Sequence, residues 1–385
     1  MHTAFSQRRI YGCLLCLALI GVGESIAGDR LIRVTFSDRH ETELTVDGRI
    51  VVEASDGGIM VQGRDGHLYS VTPKVEKKRE DPGIEFSSFG RDETAAALLK
   101  EFGEGFRINT TKNYVICSNT SEAYSKWCGV LLQRLSAAFH RQWKNANLEL
   151  HEPQFQLIAI VFRDAKQFAA YATQDEGPEL ASAQGYYSIR TNRMVMFDLT
   201  NDGKTSANSD REIARRLSMK PGNAATIVHE ATHQIAFNTG MHTRYADNPL
   251  WLTEGMAMYF ETPDLRSPKG WKTAGRVNLT RLKRFKDFAA NRRTDDSLIT
   301  LLQDNDRFQS QESVHDAYSE AWALNYFLMK NHRVKYIEYL KLLQSKPRLT
   351  WDSKEQRIDD FAESIGKSTE QLDKEFVRYI KRLRR

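Results

Sequence analysis

Two histidines four residues apart enclose a glutamate in the run His229-Glu230-Ala231-Thr232-His233. No other feature of the 385-residue chain restricts its fold as much. On a helix, positions i and i+4 share a face. Both imidazoles can then reach one metal ion, with Glu230 beside it. The flanking residues favour a helix: Asn223 offers an N-cap, Ile227, Val228, Ile235 and Ala236 an apolar stripe, and Gly240 a stop. A catalytic metal site needs a third protein ligand and one open position. Asn248-Pro249 reads as the cap and first residue of a second helix, which Pro263 closes. Glu254 lies in it, 21 positions after His233. A helix that returns alongside the first would bring the Glu254 carboxylate to the two histidines. The spacing therefore predicts two neighbouring helices and a centre made of His229, His233 and Glu254.

The pair His229-Glu230-Ala231-Thr232-His233-Gln234 and Trp251-Leu252-Thr253-Glu254-Gly255-Met256-Ala257-Met258-Tyr259-Phe260-Glu261 resembles the gluzincin class of zinc peptidases. The second segment is similar to the WLNEGFA-type motif of the aminopeptidase branch. The stretch 220–262 resembles peptidase-MA-like secreted bacterial proteins of unassigned function. The motifs cover some 40 residues, and the flanking pattern extends the likeness over about 92–345. The resemblance implies a zincin-like metallopeptidase domain with one Zn²⁺ per chain. It implies His229, His233 and Glu254 as metal ligands and Glu230 as general base. An oxyanion stabiliser from a later helix is also implied, and Tyr318 is the candidate, ahead of His315. Two departures stand out. The upstream GxMEN motif that aminopeptidases use is absent, which favours internal cleavage. Met258 occupies the position four after Glu254 where thermolysin-like members carry a carboxylate.

The chemistry of these residue types fits the same activity. Zinc lowers the pKa of a coordinated water and polarises a carbonyl, and a glutamate can shuttle the proton to the leaving amine. The expected function is hydrolysis of peptide bonds in a peptide or protein substrate. Two alternatives stand beside it: a non-catalytic binding protein on the same fold, and a zinc hydrolase of a non-peptide bond. Retention of Glu230 argues against a purely structural metal site, which needs no base. Three neighbouring features bear on the site. Residues Arg193 to Phe197 are a candidate edge strand for an extended peptide. Glu261 reads either as an orienting group for a ligand or as a surface salt bridge. His242 reads as a solvated loop histidine.

The N-terminus reads as an export signal. Arg8 and Arg9 precede an apolar run from Ile10 to Val22, and Ser25-Ile26-Ala27 supplies small residues for cleavage near Ala27. The run is short for a membrane span. A periplasmic or extracellular protein, free of the membrane after cleavage, is expected. Cys117 and Cys128 would remain as a pair in an oxidising compartment, where one disulfide is the favoured reading over two buried thiols. Lys and Arg number 55 against 50 Asp and Glu. That balance is no nucleic-acid signature, and the cluster Arg211, Arg215, Arg216 and Lys220 reads as a solvated face.

Along the chain, residues 30–73 read as a small β module, with Asp47-Gly48, Asp56-Gly57 and Asp65-Gly66 as turns. It is a candidate surface for a cell-envelope partner. Residues 74–90 read as a linker around Pro82-Gly83, 91–345 as the zincin-like domain and 346–385 as C-terminal helices. The expected class is α+β.

Overall fold

The computed structural model describes residues 30–201, 203, 205–262 and 273–384. The expected signal segment 1–27 and the helix stop at Pro263 lie outside them. The fold is α+β, with an N-terminal β module and a helical C-terminal part. No helix of the described residues is long and apolar enough to cross a membrane. Contacts group the chain into two units. One contains the described residues of Met1–Gly129 with Pro153–Ser206, and the other Val130–Glu152 with Ala207–Arg385.

The first unit begins with β1 (Ile32–Ser37), β2 (Glu43–Glu53), β3 (Ile59–Gly63), β4 (Leu68–Val71) and β5 (Glu76–Glu80). They form one sheet in the order β4-β3-β2-β1-β5. Alternate residues face one side, and Val34, Phe36, Ile59, Val61 and Val71 make its buried cluster. The stretch read as a linker thus contains a strand, antiparallel to β1. Gly57 and Gly66 adopt positive φ in turns, as expected of Asp-Gly. Asp47-Gly48 does not turn: it lies inside β2. A Cβ on Gly48 would come within 2.5 Å of the Gln62 carbonyl, so glycine there permits close approach of the next strand.

A second sheet follows. Its elements are α1 (Arg91–Phe102), β6 (Arg107–Thr110), β7 (Tyr114–Ser118), α2 (Glu122–Lys144), β8 (Leu157–Phe162), α3 (Ala165–Asp175), β9 (Gly185–Tyr187) and β10 (Arg193–Phe197). The order is β6-β7-β8-β10-β9, with β7, β8 and β10 parallel. Every residue of β8 is buried, as a central parallel strand covered on both faces requires. β10 is therefore not an edge strand, which corrects the reading of Arg193 to Phe197 as a peptide-binding edge. β9 occupies that edge. Arg193 is buried and donates to both carboxylate oxygens of Glu101, at 2.6 and 2.8 Å.

The expected disulfide is not formed: Cys117 and Cys128 are buried free thiols. The strand period explains it. Cys117 joins Val115, Ile158 and Phe168 in the cluster on one face of the sheet. Cys128 is on α2, whose next residue, Gly129, approaches Ile116 on the opposite face. The sheet separates the two sulfurs.

Among the described residues, the second unit holds the C-terminal part of α2 and ten further helices. These are α4 (Asp210–Met219), α5 (Pro221–Asn238), α6 (Leu250–Phe260), α7 (Leu279–Asn291), α8 (Ser297–Leu302), α9 (Asp306–Gln309), α10 (Val314–Asn331), α11 (Arg333–Gln344), α12 (Lys354–Ile365) and α13 (Thr369–Arg382). The α6 helix is apolar nearly all round, and all eleven residues are buried. A helix of that composition must sit inside the unit. It packs against α5 and α10, and α10 also meets α7, α11 and α13.

Candidate metal centre

The α5 helix begins at Pro221, so Asn223 lies in its first turn rather than at its cap. Gly240, just beyond its end, takes positive φ and lets the chain reverse. The loop then leads into α6. The expected cap Asn248 is used otherwise: its amide donates to the carbonyls of Thr243 and Ala246. The Leu250 N–H is met instead by the Asn305 side chain, at 3.1 Å. Gly255 allows α6 to approach α10 closely, since a Cβ there would lie 1.9 Å from Asn325 Nδ2 and 2.5 Å from the Ala321 carbonyl. Asn325 fastens the two helices by donating to the carbonyl of Trp251 at 3.0 Å.

This packing brings His229, His233 and Glu254 together as a buried group. His229 Nε2 lies 3.1 Å from His233 Nε2 and 3.1 Å from Glu254 Oε2. His233 Nε2 is 3.5 Å from Glu254 Oε1. One donor atom from each residue lies within 4.8 Å of the others, so the group could hold a metal ion. Burial opposes charge on the Glu254 carboxyl, yet His233 and His229 outweigh it and hold the carboxyl far below its ordinary range. Burial likewise opposes charge on His229, but its bonds to Glu254 and Glu261 raise it to about 10.

Glu261 is neither exposed nor a surface salt bridge. Its carboxylate accepts from His229 Nδ1 at 2.9 Å, from Asn278 at 3.0 Å and from Arg281 at 3.0 Å. Burial works against its ionisation, and Arg281 and His229 overcome that, leaving it at about 2. The nitrogen of His229 turned away from Glu254 is thus anchored by a carboxylate, a common support for metal-binding imidazoles. Glu261 follows Glu254 by two helical turns and was visible as a candidate. Arg281 and Asn278 carried no local signal.

Glu230 is buried one residue after His229, and its charge bears on both His229 and Tyr318. Tyr318 is buried on α10, and burial first, then Glu254, raises its hydroxyl well above the ordinary value. The Arg281 guanidinium sits 5.7 Å from its ring centre. His315, on the same helix, is exposed. His242 is not solvated as expected but buried. It lies in the loop after α5 that Asp247 ties to Arg357, whose Nε donates at 2.9 Å.

Fold and site together define an α+β protein with a buried two-histidine, one-glutamate group able to hold a metal ion. A family model described as "Protein of unknown function (DUF1570)" matches residues 223–350, a stretch that contains every residue of this centre. No curated protein matches the chain.

Proposed function

We propose that this chain is an exported zinc-dependent peptidase that cleaves peptide bonds internally. The observation that carries the reading is the convergence of Glu230 and Tyr318 on the His229, His233 and Glu254 donors. The donor set suits zinc, which takes nitrogen and carboxylate ligands in tetrahedral sites. A tetrahedron with ~2.0–2.1 Å metal–ligand bonds has edges of about 3.3 Å. The two Nε2 atoms lie 3.1 Å apart, and each is within 3.5 Å of one of the two Glu254 carboxylate oxygens, spacings of that order. Three protein ligands leave one position open, as catalysis requires.

Zinc bound there supplies Lewis acidity toward a carbonyl and toward water. The protein's own residues do the rest. His229 and His233 present their Nε2 atoms while Glu261 fixes the ring of His229. Glu230 takes a proton from the attacking water and passes it to the leaving nitrogen. Tyr318, kept protonated by burial, donates its O–H toward the developing oxyanion. The two products are a carboxylic acid and an amine, and Glu230 ends as it began.

Elemental analysis of the full chain tests the reading. The expected result is about one zinc per wild-type chain and clear loss in Glu254→Ala. Glu230→Gln should keep the metal and lose roughly 10²- to 10⁴-fold in hydrolysis of an unfolded protein substrate. A folded, metal-treated wild type without zinc sinks the reading, and so does full activity in Glu230→Gln.

A further inference from the structure

One arginine touches two arms of the centre. The α7 helix is capped by Asn278, whose side-chain oxygen accepts the Arg281 N–H at 3.2 Å while its amide donates to Glu261 at 3.0 Å. The cap thereby places Arg281 in the first turn of α7. A cation there opposes the helix dipole, so α7 by itself gains nothing from it. The guanidinium donates to Glu261 through two nitrogens, Nη2 to Oε1 at 3.0 Å and Nε to Oε2 at 3.4 Å. The same Oε1 accepts from His229 Nδ1 at 2.9 Å. One carboxylate oxygen thus stands between Arg281 and His229. A carboxylate in that position fixes the orientation and tautomer of a metal-binding imidazole.

The second arm is Tyr318. The Arg281 guanidinium carbon lies 5.7 Å from its ring centre, within reach of a cation–π attraction. Phe308 meets the same ring nearly edge-on, with centres 5.3 Å apart and planes at 80°. The direction of the ring decides where the phenol O–H points. Arginine suits both tasks at once. A planar guanidinium gives a fork of N–H groups to a carboxylate and still attracts an aromatic ring, whereas a lysine ammonium is a single point charge.

We propose that Arg281 is a positioning residue that ties the metal ligand His229 to Tyr318, so that one guanidinium sets the direction of both rings. This rests on the peptidase reading above. Arg281 acts through Glu261 on one side and through the Tyr318 ring on the other, and no contact with substrate is assigned to it.

The test uses the full chain and two readouts that need no turnover. Chelator competition measures zinc affinity in wild type, Arg281→Gln, Arg281→Lys, Glu261→Gln and the double variant Arg281→Gln with Glu261→Gln. Arg281→Gln should weaken zinc binding roughly tenfold. The double variant should bind zinc within about twofold of Glu261→Gln alone, because both changes act along one path. Arg281→Lys should restore the melting temperature but only part of the zinc affinity. If Arg281→Gln does not fold, Arg281→Lys carries the comparison. The second readout is ¹⁹F resonance of the 3-fluorotyrosine-labelled chain, with the Tyr318 signal assigned by its loss in Tyr318→Phe. That signal should move in Arg281→Lys. At saturating zinc, kcat on an unfolded protein should fall at least about tenfold in Arg281→Lys, and this loss should vanish when Tyr318→Phe is already present. Wild-type zinc affinity in the Arg281 variants, additive losses in the double variant or an unmoved Tyr318 signal would each overturn the proposal. A wild type that binds no zinc would refute the peptidase reading instead, and this inference with it. A wild type that binds zinc and cleaves nothing would count against that reading alone, since the zinc and ¹⁹F measurements still decide the role of Arg281.

Discussion

At the scale of single residues, the site depends on where each carboxylate finds its counter-charge. Glu254 is buried and Glu261 is half-buried, yet each stays ionised because imidazoles or a guanidinium face it. Glu261 acts through His229, so Glu261→Gln should keep the fold and weaken zinc affinity roughly 10- to 100-fold. Competition against a chelator measures it, and unchanged affinity would reduce Glu261 to an ion pair with Arg281. The cysteines yield a second expectation. Both sulfurs are buried, and burial pushes the Cys117 thiol up to about 12. Peptides containing Cys117 and Cys128 should resist alkylation in the native protein and react after denaturation, with no reductant needed. Protection that survives denaturation until reductant is added would show a disulfide.

The element that governs the centre is α6. Its apolar sequence demands burial, and Gly255 lets it lie close enough to α10 to be buried. Gly255→Ala would force the new methyl into Asn325 and the Ala321 carbonyl. Overpacking of this kind typically costs about 1–3 kcal/mol. A lower melting temperature is expected, with weaker metal binding because Glu254 precedes the altered residue. Unchanged values for both would mean that the two helices separate freely. The caps show what local pattern does and does not decide. Asn248-Pro249 marks the start of α6 to within one residue, since the helix begins at Leu250 with Pro249 in the cap position, but the capping hydrogen bond comes from Asn305, 55 positions after Leu250. Asn305→Ala should cost about 1 kcal/mol, read as a shift in the denaturation midpoint.

For the whole molecule, the last helices are not an appendage to the site. Asp247, in the loop between α5 and α6, pairs with Arg357 on α12, and both are buried. Breaking a buried pair by removing one partner costs about 3–5 kcal/mol. Arg357→Ala should therefore lower stability by that order and loosen the loop that carries His242. A chain ending at residue 345 should fail to fold its second unit, since Phe361 and Phe376 are removed from among Trp251, Tyr339, Phe285 and Phe327. Retained cooperative melting of that unit in the truncated chain would contradict this. The sequence by itself determined the α+β class, the helical spacing of His229 and His233, and Glu254 as the partner on a returning helix. These depend on periodicity and on a short connection, which are local properties. Only the tertiary structure decided that β9 rather than β10 is the edge, that the two thiols lie on opposite sides of a sheet, and that Glu261 and Arg281 meet at His229. Those outcomes depend on pairings across tens of residues. Many arginines could have neutralised Glu261, and only the packing of α6 against its neighbours selects Arg281.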